Sequence, residues 1–307
     1  AMNLKKQLPL LMTMAIVTIM TAAACLFDNK EIIFPEIAAI AAGGLMAPKL
    51  AWNTDKKRIL IFIILCAVLG VGIVILIPLP LWMQMALAFL CAQILYLYSG
   101  TTFAPMLSAA VLPVMLQTDT IIYILSAIFF TALILFFRLL LEHFEIRPAA
   151  VFQKTEPPKK EVWIHMLLRT VLGSLLIFAA VSLDIRFAVA PPLLVAFTEF
   201  SKPTAPVRKR EASAVALIGA GAAVGAACRY LFCIRFSLLP LYLAAALTIV
   251  LVILLMDRLH LFLPPAGAVS ILAMLIPEQA VLMFPVQITL GAAAVMTMAL
   301  LFFREKV

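Results

Sequence analysis

Long apolar runs follow one another along almost the whole chain, separated by short polar or proline-containing breaks. Most are close to the roughly 20 residues that an α-helix needs to cross hydrocarbon. Twelve such runs can be counted, at about 9–27, 32–50, 59–78, 82–98, 102–117 and 120–141, and then at about 164–183, 187–201, 212–229, 236–256, 262–276 and 281–303. The pattern predicts an all-α polytopic membrane protein of about twelve transmembrane or half-membrane segments.

Four of these runs, the second, fifth, eighth and eleventh, are led by prolines. In the eleventh, Pro264 and Pro265 remove two backbone donors and block helix extension on their N-terminal side, and Gly267 loosens the turn that follows. Related breaks lie at Phe34-Pro35, Ala104-Pro105 and Pro191-Pro192. Backbone groups freed in lipid must be satisfied by protein or by water in a cavity. We therefore predict broken or half-length helices that line a polar cavity near the membrane midplane.

The two halves of the chain share one order of features. Each has a full apolar span, a proline-led segment, a basic loop, a span rich in glycine and alanine, a span near a Leu-Pro-Leu sequence (Pro80 or Pro240), a second proline-led segment and a long closing span. Because each half has six segments, the copies point the same way, as in parallel transporter repeats. The predicted domains are a first membrane repeat at 1–142, a cytoplasmic linker at 143–163 and a second membrane repeat at 164–307.

Composition and charge set the class and the orientation. The chain is 65% hydrophobic and 12% charged, with a mean hydropathy of +1.16 and a net charge of +8. With the N-terminus inside, 18 of the 23 basic residues fall on the inner side, four fall outside, and Arg169 lies within a span. We therefore expect a multi-pass protein of the bacterial cytoplasmic membrane with both termini in the cytoplasm, whose partner is the lipid bilayer and not nucleic acid.

A family resemblance rests on the second half, from Pro191-Pro192-Leu193-Leu194 through Phe200-Ser201-Lys202-Pro203 to Pro264-Pro265-Ala266-Gly267-Ala268. This half resembles the HPP family of bacterial and plastid membrane proteins. Leu263 stands where the family has the histidine of its name, and His260 lies three residues earlier. The resemblance implies a permease-like membrane fold, and plant members are associated with nitrite transport. The order of segments is also similar to that of the fusaric-acid-resistance and aromatic-acid-exporter membrane domains, which points to small anions as well.

Motifs for catalysis, nucleotide binding and cofactor binding are absent from the sequence, and we expect neither an enzyme nor a cofactor. A transport site needs polar groups near the midplane, and half-helix N-termini supply free N–H groups. The candidate substrate-binding residues come from the proline-led segments and their approaches: Ser99, Gly100, Thr101, Thr102, Pro105, Thr198, Pro264, Pro265, Gly267 and Ser270.

Two carboxyl groups within segments are candidates for ion coupling, because an ionisable residue inside a span is a functional candidate by default. Glu36 could instead be solvated at the outer interface, and Glu199 could pair with Lys202. Arg169 is expected to extend toward the inner interface, although an anion-binding role stays open. Cys228 and Cys233 flank a short loop that we place outside, which leaves a disulfide open.

The sequence thus favours a secondary transporter or permease for a small solute, with an anion such as nitrite preferred and a homo-oligomer left open. Three alternatives remain: efflux of aromatic or organic acids, a scaffold that binds a lipid or a partner protein, and an embedded enzyme acting on a lipid. A polar cavity would favour transport, whereas a dry apolar seam would favour the scaffold.

Overall fold

The computed structural model describes residues 4–153 and 158–304 and contains twelve α-helices within these ranges. The eight long helices are α1 (Leu4–Leu26), α3 (Lys56–Leu76), α4 (Leu81–Ser99), α6 (Ile121–His143), α7 (Lys160–Ser182), α9 (Glu211–Cys228), α10 (Leu241–Arg258) and α12 (Phe284–Phe302). The four short helices are α2 (Glu36–Ala41), α5 (Met106–Leu116), α8 (Pro191–Phe200) and α11 (Pro264–Leu272).

The eight long helices are long and apolar enough to cross a membrane. Their outward faces carry large apolar side chains such as Phe129, Val171 and Leu290, each more than half exposed. Water would not tolerate such a surface on a monomer, whereas lipid requires it. The protein is therefore a helical, multi-pass membrane protein.

The four proline-led segments form the four short helices, and each is shorter than its predicted run. The α11 helix begins at Pro264 because the extended Leu263 before two prolines cannot join it. The α2 helix begins after Pro35 and continues as a π-helix over Ala42–Met46, where Gly43 and Gly44 loosen the winding. Nearly every residue of the short helices is buried, so they form the interior of the bundle.

The packing of helices follows a paired pattern. In the interior, α2 packs against α11 and α5 packs against α8. Around them α3 packs on α5 and α9 on α11, while α1 lies against α10 and α4 against α7. Two of these contacts are close because a glycine faces the neighbouring backbone. Between α3 and α5, a Cβ on Gly70 would lie 2.3 Å from the Ala110 carbonyl oxygen. Between α9 and α11, a Cβ on Gly225 would lie 2.1 Å from the Ser270 carbonyl oxygen.

The α6 helix runs from one end of the bundle to the other. At its start Thr120 donates a hydrogen bond to the Glu31 carboxylate, and near its end Glu142 pairs with Lys56 and with Arg138. These ends lie about 33 Å apart along a helix of 23 residues. We call the end with Glu142 the linker face, because the described residues of the linker, 144–153 and 158–159, lie there, and we call the other end the opposite face.

The linker follows α6, which continues to His143, and precedes α7, which begins at Lys160. Arg147 fixes its beginning by donating hydrogen bonds to the carbonyl oxygens of Leu45 and Met46, each at 3.0 Å. Cys228 and Cys233 are both free thiols in this structure.

Candidate functional site

A cavity of about 640 Å³ lies at the linker face between α4, α7 and the end of α8. It is lined by the last turn of α4 with the turn that follows, by the first half of α7, and by the linker. The lining residues are Arg58, Gln93, Tyr96, Leu97, Tyr98, Ser99, Gly100, Thr101, Phe152, Pro158, Lys159, Val162, His165, Met166, Arg169, Ser201, Lys202 and Pro203. The volume is that of a pocket for a small organic molecule.

Basic side chains dominate the charge of this cavity. Arg58, Lys159, His165, Arg169 and Lys202 line it, and no acidic residue is among the described residues of its wall. Clefts lined by one sign of charge between low-dielectric walls concentrate ligands of the opposite sign. The cavity is therefore suited to an anion.

Arg169 is the innermost of these basic groups. It lies nine residues into α7, about 13 Å from the start of the helix, and is only 8% exposed. Its Nη1 donates a hydrogen bond of 2.9 Å to Gln93 Oε1, while its Nε has no partner in the described part of the chain. No carboxylate among the described residues forms an ion pair with it. The guanidinium thus keeps a charge and a donor that a bound anion would satisfy.

Gln93 and Thr198 hold this guanidinium in place. Gln93 Nε2 donates to Thr198 Oγ1 at 2.7 Å, and Thr198 in turn donates to the Leu194 carbonyl oxygen at 3.0 Å. Gln93 and Thr198 are fully buried. The chain of hydrogen bonds thus joins α7 and α4 to the proline-led helix α8.

Residues at the ends of α3 and α4, in the linker and after α8 contact one another in the wall of the cavity. Arg58 donates to the Ser99 carbonyl oxygen at 3.0 Å, pairs with Asp55 at 3.0 Å, and lies with its Cζ 4.4 Å from the centre of the Phe152 ring. The Lys202 ammonium lies 5.8 Å from the centre of the Tyr96 ring. Aromatic faces beside cations give the cavity both apolar area and positive charge.

Three of the predicted substrate residues line the cavity, at the turn after α4. Ser99 and Thr101 share a hydrogen bond of 2.8 Å between their hydroxyl oxygens, and Ser99 also donates to the Tyr96 carbonyl oxygen. Gly100 has a φ of 62°, a left-handed conformation that glycine adopts without strain. Thr198 is connected to the cavity by the hydrogen bond that it accepts from Gln93, a lining residue.

The other predicted substrate residues lie elsewhere. Thr102 joins the loop before α3, where its Oγ1 accepts a hydrogen bond from the Asn53 amide at 2.8 Å. Pro105 starts α5 and is buried. Pro264, Pro265, Gly267 and Ser270 are buried in α11, whose residues line neither this cavity nor the second one described below. Ser270 donates to the Gly267 carbonyl oxygen at 2.7 Å and is thereby occupied within its own helix.

The two candidate coupling residues occupy the interior. Glu199 is partly buried and accepts a hydrogen bond of 3.3 Å from Trp52 Nε1, and no ion pair with Lys202 is found among the described residues. Trp52 is itself fixed against the Phe103 ring, with ring centres 5.1 Å apart. Glu36 is fully buried at the start of α2, so the interpretation of a carboxylate solvated at the outer interface is wrong.

A second, smaller cavity of about 250 Å³ lies at the opposite face. Lys30, Glu31 and Arg186 line it together with Ile33 and Tyr123, among others. The bundle therefore has a polar recess at each end, and the short helices lie between them.

Several residues of the main cavity were not candidates from the sequence. Arg169 was expected to extend to the interface, with an anion-binding role left open, and its buried guanidinium donates to Gln93, which is 76 residues earlier in the chain. The available signal was a charge within an apolar span. His165 and Lys159 carried no signal, because basic residues near the ends of spans are ordinary features of topology.

Comparison of the chain with family models, with curated proteins and with solved structures finds no match. The functional conclusion therefore rests on the geometry and charge of the cavity.

Proposed function

We propose that this protein is a secondary transporter for a small anionic solute and that the solute binds in the basic cavity at Arg169. The observation that carries the proposal is a buried guanidinium with an unpartnered Nε, at the end of a cavity walled by basic and aromatic side chains. A buried charge is costly unless it is paired, so a site of this kind favours an anionic ligand. The basic side chains in the cavity also favour transport over a scaffold with a dry apolar seam.

Cavity size favours an organic acid over nitrite. A water molecule takes about 30 Å³ of liquid, and a three-atom anion is of similar order, whereas the cavity holds about 640 Å³. The rings of Tyr96, Tyr98 and Phe152 supply an apolar surface that an inorganic anion would not use. An aryl or branched organic carboxylate would fill the volume and place its charge on Arg169.

The proposed architecture is two parallel repeats of six segments, in the bacterial cytoplasmic membrane with both termini inside. The packing supports it, because α3 on α5 and α1 on α10 have the counterparts α9 on α11 and α7 on α4. The two glycine contacts fall at the same distance from a proline in both short helices. Gly70 faces Ala110, five residues after Pro105, and Gly225 faces Ser270, five residues after Pro265. In this orientation the linker face and its cavity are cytoplasmic.

The test is uptake by proteoliposomes of labelled benzoate, formate, nitrate and nitrite, with and without a pH gradient. A hydrogen bond to a charged group contributes about 1.5–3 kcal/mol, so Arg169→Gln should weaken the apparent affinity by about 10- to 100-fold. Arg258→Gln is the matched control, because Arg258 is exposed at the end of α10. Binding of the solute without any uptake would favour the scaffold, and equal affinity in the two variants would remove Arg169 from the site.

A further inference from the structure

Glu36 is a buried carboxyl group without a compensating partner in the described part of the chain. The side chain is fully buried, and among the described residues neither of its oxygens has a hydrogen-bond partner. The Ser108 hydroxyl on α5 lies beside it and is likewise without a partner within hydrogen-bond geometry. An ionised carboxylate in such a place is strongly disfavoured, so the neutral acid is the form that the site accommodates.

The described residues around Glu36 include no cation that would reverse this conclusion. Tyr123 on α6 faces Glu36 but donates its hydroxyl proton to the Ala109 carbonyl oxygen at 3.0 Å. Arg138, further along α6, is committed to Glu142 and to the Gly44 carbonyl oxygen. The other helices near α2 contribute no titratable groups except thiols. Cys25 is the one titratable side chain in residues 7–26 of α1, and α11 has none. Cys66 on α3 lies near Tyr123.

Glu36 also lies between the two cavities. It follows Ile33, which lines the cavity at the opposite face, and Tyr123 lines that cavity too. On its other side α2 packs against α11, and α11 packs against α8, which carries Glu199. Glu199 precedes Ser201 and Lys202, which line the cavity at the linker face. Glu36 thus lies in the interior, between recesses at the two ends of the bundle.

We propose that Glu36 is the proton-binding residue of this protein and that it couples movement of the anionic solute to movement of protons; this coupling rests on the proposed transport function. Glu36 takes a proton from the water of the cavity at the opposite face. It then releases the proton to the water of the cavity at the linker face, so that the O–H bond of Glu36 breaks as that water becomes hydronium. Trp52 Nε1 donates a hydrogen bond to Glu199 and so holds that second carboxyl group beside the cavity.

The first test needs no substrate. Infrared spectra of the purified protein at neutral pH should contain the C=O band of a protonated carboxyl group, and Glu36→Gln should remove it. Glu145→Gln, which changes an exposed carboxylate at the linker face, should keep the band. Because glutamine has the shape and charge of the neutral acid, Glu36→Gln should fold as the native chain does. The absence of the band in the native protein, or its survival in Glu36→Gln, would overturn the proposal.

The second test separates coupling from transport. Proteoliposomes with an internal pH dye should show proton movement with the transported acid, and Glu36→Gln should lose the pH-driven accumulation while keeping exchange of solute for solute. Accumulation that persists in Glu36→Gln, or that follows a sodium gradient in place of a pH gradient, would refute proton coupling at Glu36. If no panel member moves with the native protein although the infrared band is present, the transport function fails and the proton site alone stands.

Discussion

The contact between α9 and α11 at Gly225 gives a prediction whose size can be worked from the structure. We compare Gly225→Ala with Gly72→Ala, since both glycines lie inside long helices. A Cβ at Gly225 would lie 2.1 Å from the Ser270 carbonyl oxygen and 3.0 Å from the Ala273 Cβ, whereas nothing lies within 4 Å of a Cβ at Gly72. The two changes therefore differ in packing and not in chemistry.

The magnitude follows from two opposing effects. Replacing a helical glycine by alanine favours the helix by about 1 kcal/mol, and this gain is common to both variants. At Gly225 the backbones of two helices must separate by 0.9 Å for the contact to rise from 2.1 to 3.0 Å. Overpacking of this kind costs about 1–3 kcal/mol. The free energy of unfolding of Gly225→Ala should thus lie about 1–3 kcal/mol below that of Gly72→Ala.

The assay is reversible unfolding in mixed detergent micelles, followed by the loss of helical circular dichroism as the fraction of denaturing detergent rises. Gly72→Ala should unfold at or above the native midpoint, and Gly225→Ala should unfold clearly below Gly72→Ala. Coincident curves for the two variants would show that α9 does not approach α11 as described. The same result would remove the glycine register from the argument for two repeats.

Three further predictions concern the linker face, the interior and the topology. Glu142→Gln should lower the free energy of unfolding by about 2–3 kcal/mol, because the nearly fully buried Arg138 loses its ionised partner, as denaturation in micelles would show. A variant that keeps Trp52 and has phenylalanine at the other two tryptophans should change its fluorescence when benzoate is added. The reason is that Trp52 Nε1 donates a hydrogen bond to Glu199 beside the cavity. An unchanged spectrum at saturating benzoate would contradict this. A cysteine introduced at the exposed Asp184 of a cysteine-free chain should react with an impermeant maleimide added outside intact cells, and labelling only after lysis would reverse the proposed orientation.

Local chemistry was enough to predict much of the fold. Long apolar runs mark the membrane helices, and the prolines at 35, 105, 191 and 264 mark where the four short helices begin, because proline lacks a donor and restricts the residue before it. The lengths of the short helices were overestimated. Hydropathy does not distinguish an apolar residue in a helix from one in a buried turn. Leu263 and Met274 are buried apolar residues of this kind, and both lie outside α11.

The site was less predictable, because it depends on contacts between distant parts of the chain. A half-helix start suggests free backbone donors, but the Pro264 start of α11 is buried by its neighbours, and the polar cavity forms instead where the turn at Ser99 meets α7 and the linker. Arg169 has the same local sequence whether it reaches the interface or is buried. Only the packing of α4 against α7, which brings Gln93 to its guanidinium, decides between the two.

The linker makes two helix interfaces of the bundle different. Phe152, Pro158 and Lys159 form part of the cavity wall between α4 and α7. The pair α1 and α10 has no charged residue in 7–26 and only Asp257 and Arg258 at the end of α10. A connecting segment thus supplies cavity wall that the membrane helices themselves do not, so substitutions in the linker can change the cavity while leaving the packing of the helices intact.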